Sequence, residues 1–208
     1  MPFLPNQLPA NVYNDIAAHT NGGRYLDTGE SIYDRNTGTI NGAASTTQSL
    51  ILMGFRAIKS ETITRIQVYT SATAAAATPT LCRMGIYQRV VAGPTGVINT
   101  WGLVASHAND TALFAAANTT YTKTLTTTFN KQAGSDYAVG MLIVSGVAFP
   151  TFIAPHAIAA TGGYATDALL AQPVRFAKVT GQADLPTSIP LASVVASATG
   201  HFHALLLN

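Results

Sequence analysis

The residues of this chain that could bind a metal ion are few and widely spaced. Of the five histidines, only His201 and His203 form a local pattern, in the sequence HFH. Residues two apart on a strand point to the same face, so such an imidazole pair is able to hold a transition metal. A single HxH is weak evidence for a metal site, and an exposed or hydrogen-bonded pair is the simpler interpretation.

The acidic residues give no stronger indication of chemistry. The nine carboxylates are scattered, and most lie in turn-like sequences such as SDY and HAND, where Asp is a common turn former. Two carboxylates from distant positions would suit glycoside hydrolysis, but the turn interpretation is preferred. The sequence also lacks the G-x-S-x-G, H-E-x-x-H, P-loop and G-x-G-x-x-G patterns. We therefore predict no catalytic residue, no cofactor and no enzymatic activity.

The single cysteine and the single tryptophan each allow two interpretations. In the predicted strand TLCRMGIYQRV, Cys82 shares a face with Met84 and Ile86, which favours a small core hydrophobe over a reactive thiol. Gly85, on the other face, indicates a bulge or a close approach by another part of the chain. Trp101 follows a Gly-Pro loop; a core or rim position is the preferred interpretation, and a surface aromatic that binds a sugar is the alternative.

Composition excludes several classes of protein. Only 10% of the residues are charged, against roughly 25% in an average protein, and the net charge of +2 is spread along the chain. This pattern predicts no nucleic-acid partner. The absence of a long apolar run and of a basic leader predicts neither membrane insertion nor a signal peptide, and hence synthesis in the cytoplasm. A neutral polar surface is common in proteins that pack against copies of themselves.

The first 45 residues differ from the rest of the chain. Three prolines occur in the first nine residues, and the later part of the segment is rich in turn residues. Its scattered apolar side chains are too few for a core, so residues 1–45 are predicted to form an extended arm that docks on its own domain or on a partner. The predicted anchoring residues are Phe3, Leu4, Leu8, Val12, Tyr13 and Ile16.

Residues 46–208 carry the patterns of short strands. TTYTKTLTTTFN alternates, which places Tyr121, Lys123, Leu125, Thr127 and Phe129 on one face, and YAVGMLIVSGV is apolar throughout, as in a strand buried on both faces. HFHALLLN is predicted to be the last strand, closing a sheet. Strands at spacings of about ten residues with Gly, Pro and Asn between them predict an all-β, antiparallel, jelly-roll-like β-sandwich.

The run from Leu50 to Ile143 resembles a β-sandwich module of structural proteins in tailed bacteriophages, especially minor tail and fibre proteins of phages that infect actinobacteria. The matching parts are ITRIQVYTSATAAAATPTLCRMGIYQ, WGLVAS and TTYTKTLTTTFNKQAGSDYAVGMLIV. They follow the family's order of an initial strand, an Ala/Thr-rich loop, an R-x-G-I-Y strand and a Thr-rich strand. The resemblance implies that Arg83, Gly85 and Tyr87 are framework positions of the module.

The resemblance also implies a function and partners. We expect a virion protein, assembled in the bacterial cytoplasm, that is associated with the phage tail as a fibre or tip module. The alternatives are a capsid decoration protein or head fibre and, from a different class, a carbohydrate-binding or carbohydrate-active jelly roll. The expected partners are copies of itself, as a homotrimer, other virion proteins, and a glycan or protein of the host surface.

Overall fold

The described part of the chain is all-β, with antiparallel pairing throughout. The structure is a computed structural model that describes residues 48–57, 59–71, 79–92, 97–144, 150–152, 176–196, 202 and 204–208. The strands are β1 Leu50–Arg56, β2 Glu61–Tyr69, β3 Leu81–Ala92, β4 Val97–Ser106, β5 Thr120–Lys131, β6 Asp136–Val144, β7 Phe176–Val179, β8 Ser188–Pro190, β9 Val195–Ala196 and β10 Ala204–Leu207. None of the helices in these ranges is long and apolar enough to cross a membrane.

Seven strands form the larger sheet, in the order β8-β4-β3-β6-β1-β7-β9. β6 lies at its centre, between β3 and β1, and all but its last residue are buried. The continuous apolar sequence of β6 was the reason to predict a strand covered on both faces, and that prediction is confirmed. β8 and β9, at the two edges, have only three and two residues.

Three strands form the smaller sheet, in the order β10-β2-β5. Along the second half of β2 the side chains follow a period of two, since Ile66, Val68 and the following Thr70 are all at most 1% exposed. The predicted final strand is also present as β10, which pairs with β2 through Leu206 and Ile66.

The alternation predicted for β5 is interrupted. Between the pairs Ile63–Phe129 and Arg65–Thr124 the register shifts, so residues 125–128 have only Thr64 opposite them on β2. Thr127, predicted to share the inner face with Leu125, is exposed as a result. The period-two pattern misplaces Thr127 because it assumes an unbroken ladder, and a bulge changes the direction of the side chains that follow it.

One core cluster draws on both sheets. The larger sheet contributes alternate residues of β1, β3 and β6, and the smaller sheet contributes the apolar residues of β2 and β10. Cys82, Met84 and Ile86 are members with 0% exposure, so the predicted core face of β3 is confirmed. Phe114 and Phe152 close one end of this cluster with ring centroids 4.9 Å apart.

A second cluster covers the opposite face of the larger sheet. Residues 180–187, named here the crossover segment, run over that face from β7 to β8. Gln182 N donates to Gln48 O at 2.9 Å, and Leu103 N donates to Thr187 O at 2.9 Å, so the segment is fixed beside β1 and beside β4. Its Leu185 packs into the second cluster with Tyr87.

The larger sheet is curled. β8 and β9 lie at opposite edges of this sheet. If the sheet were flat, six interstrand spacings of about 4.8 Å would place these two strands about 29 Å apart. The chain from Pro190 to Val195 spans at most about 18 Å. The connection includes a 3-10 turn, Leu191–Ser193, and Val194 packs against the second cluster. The two edges therefore bend toward each other around that cluster.

Two predictions about the architecture remain predictions. The arm of residues 1–45, with its anchoring residues Phe3, Leu4, Leu8, Val12, Tyr13 and Ile16, lies outside the described residues. The all-β antiparallel class is confirmed, whereas the sandwich or jelly-roll arrangement is taken up below as a proposal.

Candidate functional site: the polar cluster at the end of β4

A group of hydrogen-bonded polar side chains lies where β4 ends at Ser106. From His107 the chain leaves the ladder but stays beside the first half of β3. His107 N donates to Met84 O and Asp110 N donates to Cys82 O, both at 3.2 Å. Residues 107–110, named here the HAND segment, thus replace β4 as the neighbour of β3.

Two side chains of the HAND segment complete the hydrogen bonding of β3. His107 Nε2 accepts a bond from Met84 N at 2.8 Å. Asn109 Oδ1 accepts from Cys82 N at 2.8 Å, and its Nδ2 donates to Thr80 O at 3.3 Å. Buried backbone N–H groups need partners, and here an imidazole and an amide stand in for the missing strand.

The hydrogen bonds of His107 determine its protonation. Its Nδ1 donates to Ala108 O, and its Nε2 must carry a lone pair to accept from Met84 N. The ring is therefore neutral, with the proton on Nδ1. The residue is 2% exposed, and burial is the main cause that lowers the pKa of His107; the charges of Lys123 and Arg83 lower it further.

A carboxylate–ammonium pair connects the HAND segment to β5. Asp110 accepts a hydrogen bond from Lys123 Nζ and another from Ala112 N at 3.0 Å. The bond from Lys123 is the main reason that the pKa of Asp110 lies below its ordinary value. The bond to Ala112 is the Asx-turn contact expected of Asp in a turn, so the interpretation of HAND as a turn sequence holds for Asp110.

Arg83 connects the cluster to the crossover segment. Its guanidinium donates to Asp184 Oδ1 at 2.7 Å, to Ser106 Oγ at 3.0 Å and to His107 O at 3.3 Å. One side chain of β3 thus holds the end of β4, the HAND segment and the crossover segment together.

Cys82 lies beneath this cluster and is not activated. The thiol is 0% exposed, and burial raises its pKa above the ordinary value, with the charge of Asp110 as the second cause. A nucleophilic cysteine needs a lowered pKa and access to solvent. His107 is close to β3, but both of its ring nitrogens are already used, so it is not placed to act as a base for this thiol.

The cluster is suited to holding strands together. Each polar side chain named above has a partner within the protein, and the described ranges contain no group of three or more His, Cys, Asp or Glu placed to hold a metal ion. His201 and His203, the candidate metal ligands, lie outside the described residues.

The structure places Trp101 in the core and not at the surface, which contradicts the surface-aromatic alternative. Its side chain is 3% exposed and packs in the second core cluster, with Ile189 opposite it on β8. The short edge strand β8 pairs with β4 at this position, and its three residues gave no strand signal in the sequence. Of the two interpretations of Trp101, the core position is the one the structure supports.

A cleft of about 300 Å³ lies beside β7 and β8. Its lining is uncharged and includes Thr180, Gln182, Ser188 and Pro190. The hydroxyl and amide groups suit a neutral polar ligand, but no charged or buried unpaired side chain among the lining residues gives the cleft a defined chemistry.

The sequence was also compared with known proteins. No protein-family model matches the chain, and no curated protein is significantly similar to it.

Proposed function

We propose that this chain is a non-catalytic structural module of a tailed-bacteriophage virion, associated with the tail. The observation that carries the proposal is the position of the R-x-G-I-Y residues, which are one part of the resemblance. Arg83 makes three hydrogen bonds between elements, Leu185 lies within 3.0 Å of the position that a Cβ on Gly85 would occupy, and Tyr87 is 0% exposed. All three are used in holding the fold together, as expected for framework positions.

We further propose that the two sheets form a β-sandwich. What supports this is the first core cluster, to which both sheets contribute buried apolar residues. In sandwiches the inner faces of two sheets interdigitate to form the core, with polar residues facing outward. From Ile66 to Tyr69, buried residues of β2 alternate with half-buried ones, as expected of a strand with one inner and one outer face.

Self-association as a homotrimer is part of the proposal. The exposed residues of β5 are mostly threonines, at positions 120, 122, 124, 126, 127 and 128. Small uncharged side chains lower the desolvation cost of close packing. Sedimentation equilibrium of the purified chain tests this step: a trimer at micromolar concentration supports it, and a monomer at high micromolar concentration contradicts it.

Quantitative mass spectrometry of purified phage particles tests the function itself. A tail protein is expected at a few to a few dozen copies per particle. Hundreds of copies would instead support the alternative of a capsid decoration protein or head fibre. Absence of the protein from particles that contain the known major structural proteins would overturn the virion proposal altogether.

Deletion of residues 1–45 tests the arm. If the arm attaches the module to other virion proteins, the truncated protein keeps its melting temperature within a few degrees but is missing from assembled particles. A truncated protein that unfolds would place the arm within the fold, and normal incorporation would show that attachment does not use it.

A further inference from the structure

His107 holds the HAND segment to β3 through an interaction that exists only while its ring is neutral. Nε2 accepts from Met84 N at 2.8 Å, and Nδ1 donates to Ala108 O. A protonated ring carries hydrogen on both nitrogens, so Nε2 would then face the amide hydrogen of Met84 with a hydrogen of its own. A buried N–H would lose its partner at the same moment that a charge is placed in the core.

The bond to Ala108 O and the charge of Asp110 favour a protonated His107, but burial and the two neighbouring cations outweigh them, so the pKa of His107 is lowered. From β3, Arg83 donates to His107 O, and from β5, Lys123 adds a second positive charge. Within the HAND segment Asp110 is already bonded to Lys123, and in the crossover segment Asp184 is already bonded to Arg83. Each carboxylate is therefore engaged by a cation, and the neighbouring Cys82 is an uncharged thiol.

We propose that His107 is an acid-sensitive latch, whose protonation separates the HAND segment from β3. The opening is confined to this segment because Leu113 and Phe114, three and four residues after its end, are 1% and 0% exposed in the first core cluster. Burial lowers the pKa of His107, so the open form takes up a proton at a higher pH than the closed form. Acid therefore favours the open form.

Opening changes what β3 presents to its surroundings. The backbone groups of Cys82 and Met84, now bonded to the HAND segment, become an unpaired strand edge. Unpaired edges accept strands from other chains. The latch thus covers an interaction edge at neutral pH and uncovers it in acid, a behaviour that goes beyond the structural role proposed above.

Amide hydrogen exchange of the full chain tests the latch. The exchange rate of Met84 N–H is divided by its intrinsic rate at each pH, because intrinsic exchange itself changes with pH. With an ordinary histidine pKa of about 6.5 in the open form, protection of Met84 falls by up to about thirtyfold between pH 8 and pH 5. Protection of Val139, at the centre of the larger sheet, is expected to stay constant.

His107→Gln is the matched variant. A glutamine side chain places an amide oxygen near the position of Nε2 and accepts from Met84 N without titrating. In this variant the protection of Met84 is expected to be independent of pH. If the variant does not fold at pH 7, the wild-type comparison of Met84 with Val139 decides the question alone.

The rate at which dithiodipyridine labels Cys82 gives a second readout. This rate is divided by the labelling rate of the urea-unfolded chain at the same pH. Faster relative labelling in acid, absent in the glutamine variant, supports the latch. Three results would overturn it: constant protection of Met84, a parallel loss of protection at Met84 and Val139, or the same pH dependence in His107→Gln.

Discussion

Gly85 on β3 lies directly opposite Gly140 on β6, at the centre of the larger sheet. The missing side chains leave space on the face that the crossover segment covers, and neighbours fill it. A Cβ on Gly140 would lie 2.8 Å from Tyr87 Cε2, 3.0 Å from Leu50 Cδ1 and 3.1 Å from Leu52 Cδ2. The ring of Tyr87 thus packs against the backbone of Gly140, which only glycine permits at this distance.

Gly140→Ala is expected to lower the free energy of unfolding by about 1–3 kcal/mol, because three packed side chains must move. Gly102→Ala on β4 is the control: its nearest neighbour would be Val90 Cγ2 at 3.7 Å, an ordinary contact. That variant is expected to be unchanged or slightly more stable, since alanine loses less backbone entropy on folding. Urea denaturation measures both, and equal effects would contradict the packing argument.

The sequence predicts well which faces of the strands are buried. Alternation places Cys82, Met84 and Ile86 in the core, and an unbroken apolar run identifies β6 as a central strand. Gly85 predicts that another part of the chain approaches β3 closely, and in the structure Leu185 of the crossover segment does so. These successes share a physical basis, because the side-chain period of a strand and the burial of its faces are local properties of the sequence.

Pairing between distant residues is the part that the sequence does not reveal. His107 and Asn109 bond to β3 residues more than twenty positions away, and nothing in the spacing of HAND specifies these partners. Trp101 shares a core cluster with its partner Ile189 on β8, a strand of three residues that is too short to show a period. The position of Thr127 depends on a register shift that arises from pairing with β2.

Burial of the single tryptophan gives a spectroscopic prediction. Because Trp101 is 3% exposed, its fluorescence is expected to be blue-shifted relative to free tryptophan and slow to be quenched by acrylamide. Adding host cell-wall oligosaccharides is expected to leave the spectrum unchanged. A ligand-dependent shift of the emission, with the fold intact by circular dichroism, would revive the sugar-binding alternative at Trp101.

Two ion pairs of similar geometry are expected to differ in their contribution to stability. Arg89 Nη1 lies 2.6 Å from Asp136 Oδ2, with side chains 12% and 6% exposed. Arg83 Nη1 lies 2.7 Å from Asp184 Oδ1, but the Asp184 side chain is 54% exposed. Solvent screening weakens the exposed pair, and burial removes this screening from the first pair. Loss of the Asp136 charge would leave the charge of Arg89 uncompensated in the interior.

Asp136→Asn is therefore expected to lower the free energy of unfolding by about 3–5 kcal/mol, and Asp184→Asn by less than about 1 kcal/mol. Both substitutions keep the side-chain shape and remove one negative charge, so they form a matched pair. Urea denaturation at neutral pH and moderate salt provides the comparison. If Asp184→Asn lowered the free energy of unfolding as much as Asp136→Asn, burial would not be the deciding factor.

Lys131, the last residue of β5, is expected to make stability depend on alkaline pH. It is 0% exposed, its Nζ lies 2.7 Å from Glu61 Oε1, and burial lowers its pKa from 10.5 to about 8. Between these two values the unfolded chain holds a proton that the folded chain has released. The contribution of Lys131 to the free energy of unfolding therefore rises as pH increases from about 8 to 10.5.

Comparison of the wild type with Lys131→Met isolates this contribution. The buried Cys82 and Tyr87 titrate in both proteins, so their contributions to the free energy of unfolding cancel in the difference. The wild type is expected to gain about 1–2 kcal/mol relative to the variant between pH 7.5 and pH 9.5. Lys59→Met is the control, since its side chain is 42% exposed and 3.5 Å from the same Glu61. A difference that stays constant with pH, or one that also appears in Lys59→Met, would show that burial of Lys131 does not control its titration.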